Sequence, residues 1–232
     1  AMFGVKQKYL VSHRDYPMFV QLARRLYEAH RTRIPMALLH INELSYGSKL
    51  VFSIRLIAGE CVGLSGPSGS GKTLLLRAIS DLDLAAGEIL LDGKTKDSIP
   101  PPEWRKSVGY LAGESAWWAP TVGEHFSLPD NSLLNFMDFD EGVLEWEVGR
   151  LSSGEKQRLA FIRLLAQNPK VLLLDEPTAN LDSENRERIE TLVANYLFRQ
   201  EAGCLWISHN DTQLNRICRR RFQLANGAWE AK

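Results

Sequence analysis

The stretch CVGLSGPSGSGKTLLLRAIS, Cys61 to Ser80, decides how the rest of the chain is read. It opens on a short apolar run, passes through a glycine- and serine-rich loop, and ends in a helical pattern. Its centre, GPSGSGKT from Gly66 to Thr73, fits the spacing G-x-x-x-x-G-K-[ST] in the context that gives the spacing meaning, after a strand and before a helix. The chemistry accounts for the composition. Glycines let successive N–H groups turn inward onto phosphate oxygens, and the following helix presents the positive end of its dipole. In this reading Gly66, Pro67, Ser68, Gly69, Ser70 and Gly71 form a phosphate cradle. Lys72 reaches the β- and γ-phosphates, and the Thr73 hydroxyl ligates Mg²⁺.

Two further apolar runs end in groups that suit the same site. VLLLDEPTANLD, Val171 to Asp182, reads as a buried strand that delivers Asp175 and Glu176 to the carboxyl edge of a parallel sheet. Asp175 is placed to hold Mg²⁺, and Glu176 to polarise an attacking water as general base. CLWISHND, Cys204 to Asp211, sets His209 at a third strand end, where it can donate to the γ-phosphate or the water.

Working outward, CVGLSG, SVGYLAG, VLLLDE and CLWISH are short, nearly wholly apolar and flanked by helical patterns, as parallel strands covered on both faces should be. LLHINELSY and LVFSIRLIAGE alternate instead and predict an antiparallel pair packed on that sheet. Residues 113–150 break into aromatic, proline and acidic residues, read as a short helical insertion. The fold class is therefore α/β: a phosphate-loop NTPase with a mainly parallel sheet core, an antiparallel β subdomain and a short helical subdomain.

A chain of 232 residues with zero formal net charge supports one elaborated domain and gives no sign of nucleic acid as a partner. Three cysteines, an odd number without metal-ligand spacing, point to a reducing compartment and the cytoplasm. No apolar run approaches the ~20 residues of a membrane span. Residues 1–37 form a basic arm, in which Phe19, Leu22, Ala23 and Leu26 share one face of an amphipathic helix. That face either docks on the core or meets anionic lipid or a membrane partner. Ala1 ahead of Met2 reads as a cloning scar, and Met36 as an alternative start.

LSSGEKQRLA, Leu151 to Ala160, is a small-residue helix start far from the phosphate loop. Together with the motifs above it makes residues 38–232 resemble the ATP-binding cassette ATPases, the nucleotide-binding subunits of ABC transporters. The resemblance implies that Ser152, Ser153, Gly154 and Glu155 form the signature that closes on ATP held by a second cassette, a copy of this chain or a paralogue. Within it Tyr46 matches the aromatic that stacks on adenine, Asp182 the loop crossing the dimer interface, and His209 the switch histidine. It further implies Mg-dependent ATP hydrolysis, a separate transmembrane permease, and a place on the inner face of the membrane. PTVGEHF, Pro120 to Phe126, resembles the segment leading into the family's helical subdomain, which here is short.

The departures bear on activity. Gly113 stands where the family's glutamine senses Mg²⁺ and water, Ser153 replaces a glycine, and Glu155 replaces a glutamine. These keep open a slow or non-hydrolysing binding module. A soluble cassette ATPase acting on nucleic acid or the ribosome is the other alternative, supported only by the basic arm. Trp117 and Trp118 read either as local core or as a contact surface for the permease.

Overall fold

A computed structural model of the chain describes residues 37–47, 50–127 and 129–232. The expected arm helix lies outside the described residues. The first strands are β1 (Ala37–Tyr46), β2 (Leu50–Ile57) and β3 (Cys61–Ser65), and the phosphate loop then opens helix α1 (Lys72–Ile79). A hairpin, β4 (Ala86–Leu91) and β5 (Lys94–Thr95), precedes α2 (Pro101–Ser107) and β6 (Val108–Leu111). After α3 (Asn131–Phe136) come α4 (Ser153–Leu165), β7 (Val171–Asp175), α5 (Ser183–Gln200) and β8 (Gly203–Ile207). The chain closes with α6 (Asp211–Ile217), β9 (Arg220–Ala225) and β10 (Ala228–Ala231).

Two sheets result. The larger has six strands in the order β10-β9-β3-β8-β7-β6, and the smaller has four in the order β2-β1-β4-β5. In the larger, β9, β3, β8, β7 and β6 run parallel and only β10 is antiparallel. The apolar runs are explained by burial on both faces. Val171 and Leu173 of β7 join the core shared with Leu39, Phe52 and Leu56 of the small sheet and Leu75, Leu76 and Ile79 of α1. Leu172 and Leu174 join the opposite core, with Phe161 of α4 and Leu192 of α5. Strand periodicity thus splits one apolar run between two cores. At Gly203 a Cβ would stand 2.6 Å from Leu56 Cδ2, so a side chain there would have to displace the Leu56 side chain that packs between the sheets.

The structure adds strands that the apolar runs do not announce. β4–β5 and β9–β10 are joined by Asp92-Gly93 and Asn226-Gly227, all four residues at positive φ. Two-residue turns of this kind match the twist of the strands they join. Among the described residues of 113–150 there are α3, of six residues, three 3₁₀ turns and a bridge between Thr121 and Glu147. Among the described residues no helix is long and apolar enough to cross a membrane.

Candidate active site

The carboxyl ends of β3, β7 and β8 bring the expected groups to one edge. Residues 69–74 line an open concavity at the start of α1. Gly66 (φ 147) has no room for a Cβ, which would lie 2.8 Å from Leu224 O, and Gly71 (φ 107) is the left-handed cap of α1. Lys72 Nζ donates to Gly66 O at 2.9 Å and Pro67 O at 2.7 Å, so the ammonium is already held inside the loop. Burial lowers its pKa, against the opposing pull of Glu176 and Asp175.

Asp175 Oδ2 accepts from Thr73 Oγ1 at 2.7 Å and from the Tyr110 hydroxyl at 3.3 Å. Tyr110 was not among the expected site residues; a tyrosine inside an apolar strand carries no sign of the carboxylate beside it. Glu176 follows in the left-handed region at φ 47, a strained state for a residue with a Cβ, held by its N–H bond to Ile207 O at 3.1 Å. Its Oε1 has no hydrogen-bond partner and lies 3.5 Å from His209 Nε2. Burial raises the Glu176 pKa above the usual carboxylate range and Asp175 adds to this, while His209 and Lys72 oppose it. Gly113 opens beside this pair: a Cβ there would lie 3.4 Å from Asp175 O and 3.9 Å from Glu176 Cβ.

Ser152 to Glu155 form a capping box at the start of α4. Ser152 N and Oγ donate to Glu155 Oε2 at 2.8 and 2.7 Å, and Glu155 N donates to Ser152 Oγ at 3.2 Å. These donors hold the Glu155 carboxyl below its ordinary pKa. Ser152 and Ser153 are exposed, and residues 152–155 line neither concavity at the chain's own phosphate loop. A Cβ on Gly154 would lie 3.3 Å from Asn180 O, near Asp182, which caps α5 by accepting from Asn185 N at 2.8 Å. Residues 152–155 and the loop before Asp182 are therefore neighbours.

Tyr46 is placed differently from the sequence expectation. It is 3% exposed, its ring lies in the core between the sheets, and its hydroxyl accepts from Trp229 Nε1 at 2.7 Å. Burial pushes that hydroxyl up to about 12. The cause is the C-terminal hairpin, whose Trp229 also packs edge-on against Phe52; as placed, the ring is a core residue and offers no open face to a base. The two tryptophans differ: Trp117 packs on the core, whereas Trp118 is 72% exposed, with Arg163 over both rings and His125 against each.

A family model described as ABC transporter matches residues 49–179. The chain belongs to this family. It is accordingly an ATP-binding, ATP-hydrolysing cassette. It is 34% identical over 179 residues to the probable iron export ATP-binding protein FetA of Escherichia coli K12, covering 71% of this chain and 78% of that protein. The thiamine import ATP-binding protein ThiQ of the same strain is 32% identical over 196 residues, covering 77% of this chain and 84% of that one. Two solved structures share the fold. The ATP-binding subunit of an ABC transporter has a TM-score of 0.74 at 23% identity, covering 84% of this chain and 88% of that one. The dimeric post-hydrolysis cassette MJ0796 bound to ADP and Pi has 0.70 at 24%, covering 83% and 96%.

Proposed function

We propose that this cassette works as half of a head-to-tail pair, with a second copy or a paralogue, and that the pair drives a separate transmembrane permease from the cytoplasmic face. The observation that carries the reading is the solvent-facing signature: Ser152 and Ser153 are exposed, and residues 152–155 line neither concavity at the chain's own loop. A helix start whose small residues face outward suits an anion brought by a neighbour, and it closes a site that one chain leaves open.

In that pair the loop Gly66–Thr73 binds the phosphates, which replace the Gly66 and Pro67 carbonyls as partners of Lys72. Among the described residues no cluster of His, Cys, Asp or Glu side chains could hold a metal alone. The Thr73 hydroxyl and Asp175 carboxylate, 2.7 Å apart, suit a hard ion that arrives with phosphate oxygens. Mg²⁺ bound there would neutralise charge on the β- and γ-phosphates. Glu176, with an unpartnered oxygen and a raised pKa, takes the proton of the attacking water, and His209 holds the water or the γ-phosphate. Loss of the γ-phosphate removes the bridge between the two chains and lets them separate. Residues 113–150, with exposed Trp118, are the surface offered to the permease. Cargo is chosen by that membrane chain, in keeping with relatives named for iron export and thiamine import.

The test is light scattering of the Glu176→Gln protein with and without Mg-ATP. A shift from monomer to dimer that is lost in Glu176→Gln/Ser152→Ala supports the reading. A protein that stays monomeric at saturating Mg-ATP overturns it.

A further inference from the structure

Behind the site lies a buried polar cluster that joins the two turns carrying Glu176 and His209. Its centre is Gln213 on α6, which is 2% exposed. The amide uses both of its ends. Its Nε2 donates to Thr178 Oγ1 at 2.9 Å and to Glu190 Oε1 at 2.8 Å, and its Oε1 accepts from Ser208 Oγ at 2.9 Å. Thr178 lies two residues after Glu176, and Ser208 immediately precedes His209.

Each arm is itself anchored. Ser208 Oγ accepts from Asn210 N at 3.1 Å, and Asn210 Oδ1 accepts from Gln213 N at 3.0 Å, so the His209 turn is tied to α6 by main chain and side chain together. Glu190, 2% exposed on α5, is held by Arg216, whose Nε and Nη2 donate to its two oxygens at 3.0 and 2.8 Å. The buried carboxylate is thus paired, and Gln213 Nε2 has a fixed acceptor. Across the site itself, the His209 main chain reaches the Glu176 carboxyl, Glu176 Oε1 and His209 Nε2 are 3.5 Å apart, and Glu176 sits in a strained backbone state.

We propose that Gln213 is the positioning residue that sets the reach between Glu176 and His209, by binding at once the turn behind each. The inference rests on the roles proposed above for Glu176 and His209. It adds a residue that touches neither nucleotide nor water. The planar amide bonded to Thr178 and Ser208 adds a side-chain tie to the one main-chain bond, Glu176 N–H to Ile207 O, at the base of the two turns. If either bond is lost, the side chains at the two turns can shift against each other while the phosphate loop, which follows β3, keeps its own Lys72 bonds to Gly66 O and Pro67 O. Misplacement by about 1 Å at a reacting centre is enough to cost up to a hundredfold in rate.

The experiment compares Gln213→Met with the unmodified chain in steady-state Mg-ATP hydrolysis. Methionine keeps the length and volume of the side chain and removes both hydrogen-bonding ends. Glu190 retains Arg216, so no charge is left unpaired. The expected result is a fall of about tenfold in kcat, with KM for Mg-ATP within about twofold, because only placement of the reacting groups has changed. Thr178→Val and Ser208→Ala each sever one arm and should lower kcat in the same direction. Combining either with Gln213→Met should add little, since all act through one amide. If Gln213→Met does not fold, the two single-arm variants decide the matter by the same split.

An unchanged kcat in a folded variant, or a rise in KM with kcat constant, overturns the proposal. Glu176→Gln separates this from failure of the underlying reading. Should Glu176→Gln hydrolyse ATP at the full rate, the assignment of the base is wrong. Should it be inactive while Gln213→Met is normal, only the positioning role is wrong.

Discussion

Tyr46→Leu separates the work of a core residue from that of a platform for a base. In the structure Tyr46 is 3% exposed and accepts a hydrogen bond from Trp229 Nε1 at 2.7 Å. Truncating a buried aromatic to alanine costs about 3–5 kcal/mol, and leucine refills about half of that space, so the packing loss is about 2 kcal/mol. The lost hydrogen bond adds about 1 kcal/mol. For a chain of this size each kcal/mol lowers the melting temperature by about 2–4 °C, so a drop of roughly 6–12 °C is expected. If the ring stacked on adenine, its removal would also cost about 1–3 kcal/mol in binding, a fall in ATP affinity of about 5- to 150-fold. The buried placement predicts a change in Kd of less than about twofold at a temperature where the variant is folded. Calorimetric melting and ATP titration on the same sample read both quantities. A variant that melts normally but binds ATP more than about tenfold weaker would refute the core assignment and put the ring against the base.

Glu176→Gln should lower hydrolysis by at least about a hundredfold while leaving ATP binding intact, measured by phosphate release and equilibrium titration. The same variant should melt higher without nucleotide or Mg²⁺ at neutral pH. Burial raises the folded-state pKa of Glu176, so its ionisation costs stability as pH climbs from the ordinary carboxylate value through the raised one; the gain should vanish below about pH 4. Gly113→Gln should fold normally, because the new Cβ meets Asp175 O and Glu176 Cβ at 3.4 and 3.9 Å, ordinary contact distances. It should raise kcat by about tenfold, the effect of one hydrogen bond to the attacking water, about 1.4 kcal/mol. Ser152→Ala removes the α4 cap and should lower stability by about 1 kcal/mol, or about 2–4 °C, in a melting curve of the isolated chain. An unchanged melting temperature would mean that water replaces the hydroxyl at that helix start.

The local chemistry could be read from the chain alone wherever neighbours in sequence are neighbours in the site. Gly66 to Thr73 is one loop, Asp175 ends one strand with Glu176 next to it, and Ser152 to Glu155 start one helix, so the groups that each brings together are adjacent in the chain. The uninterrupted apolar runs of β3, β7 and β8 likewise announce burial on both faces. The hairpins at Asp92-Gly93 and Asn226-Gly227 escape a reading by apolar periodicity, because β5 and β10 beside them are short and partly polar.

Other features required the tertiary structure, because they depend on residues far apart in the chain. The Cys61 and Cys218 sulfurs lie 3.5 Å apart, although spacing alone gave the cysteines no relation. Tyr46 is sealed by Trp229, a partner 183 residues away on a hairpin that folds back over the small sheet. Gln213 lies 35 residues from Thr178, and Tyr110 lies 65 from Asp175. Sequence determines which groups a turn or strand end carries. Whether a side chain is left open to a ligand or closed into the core is decided by what the rest of the chain packs against it, and burial is a property of the whole fold.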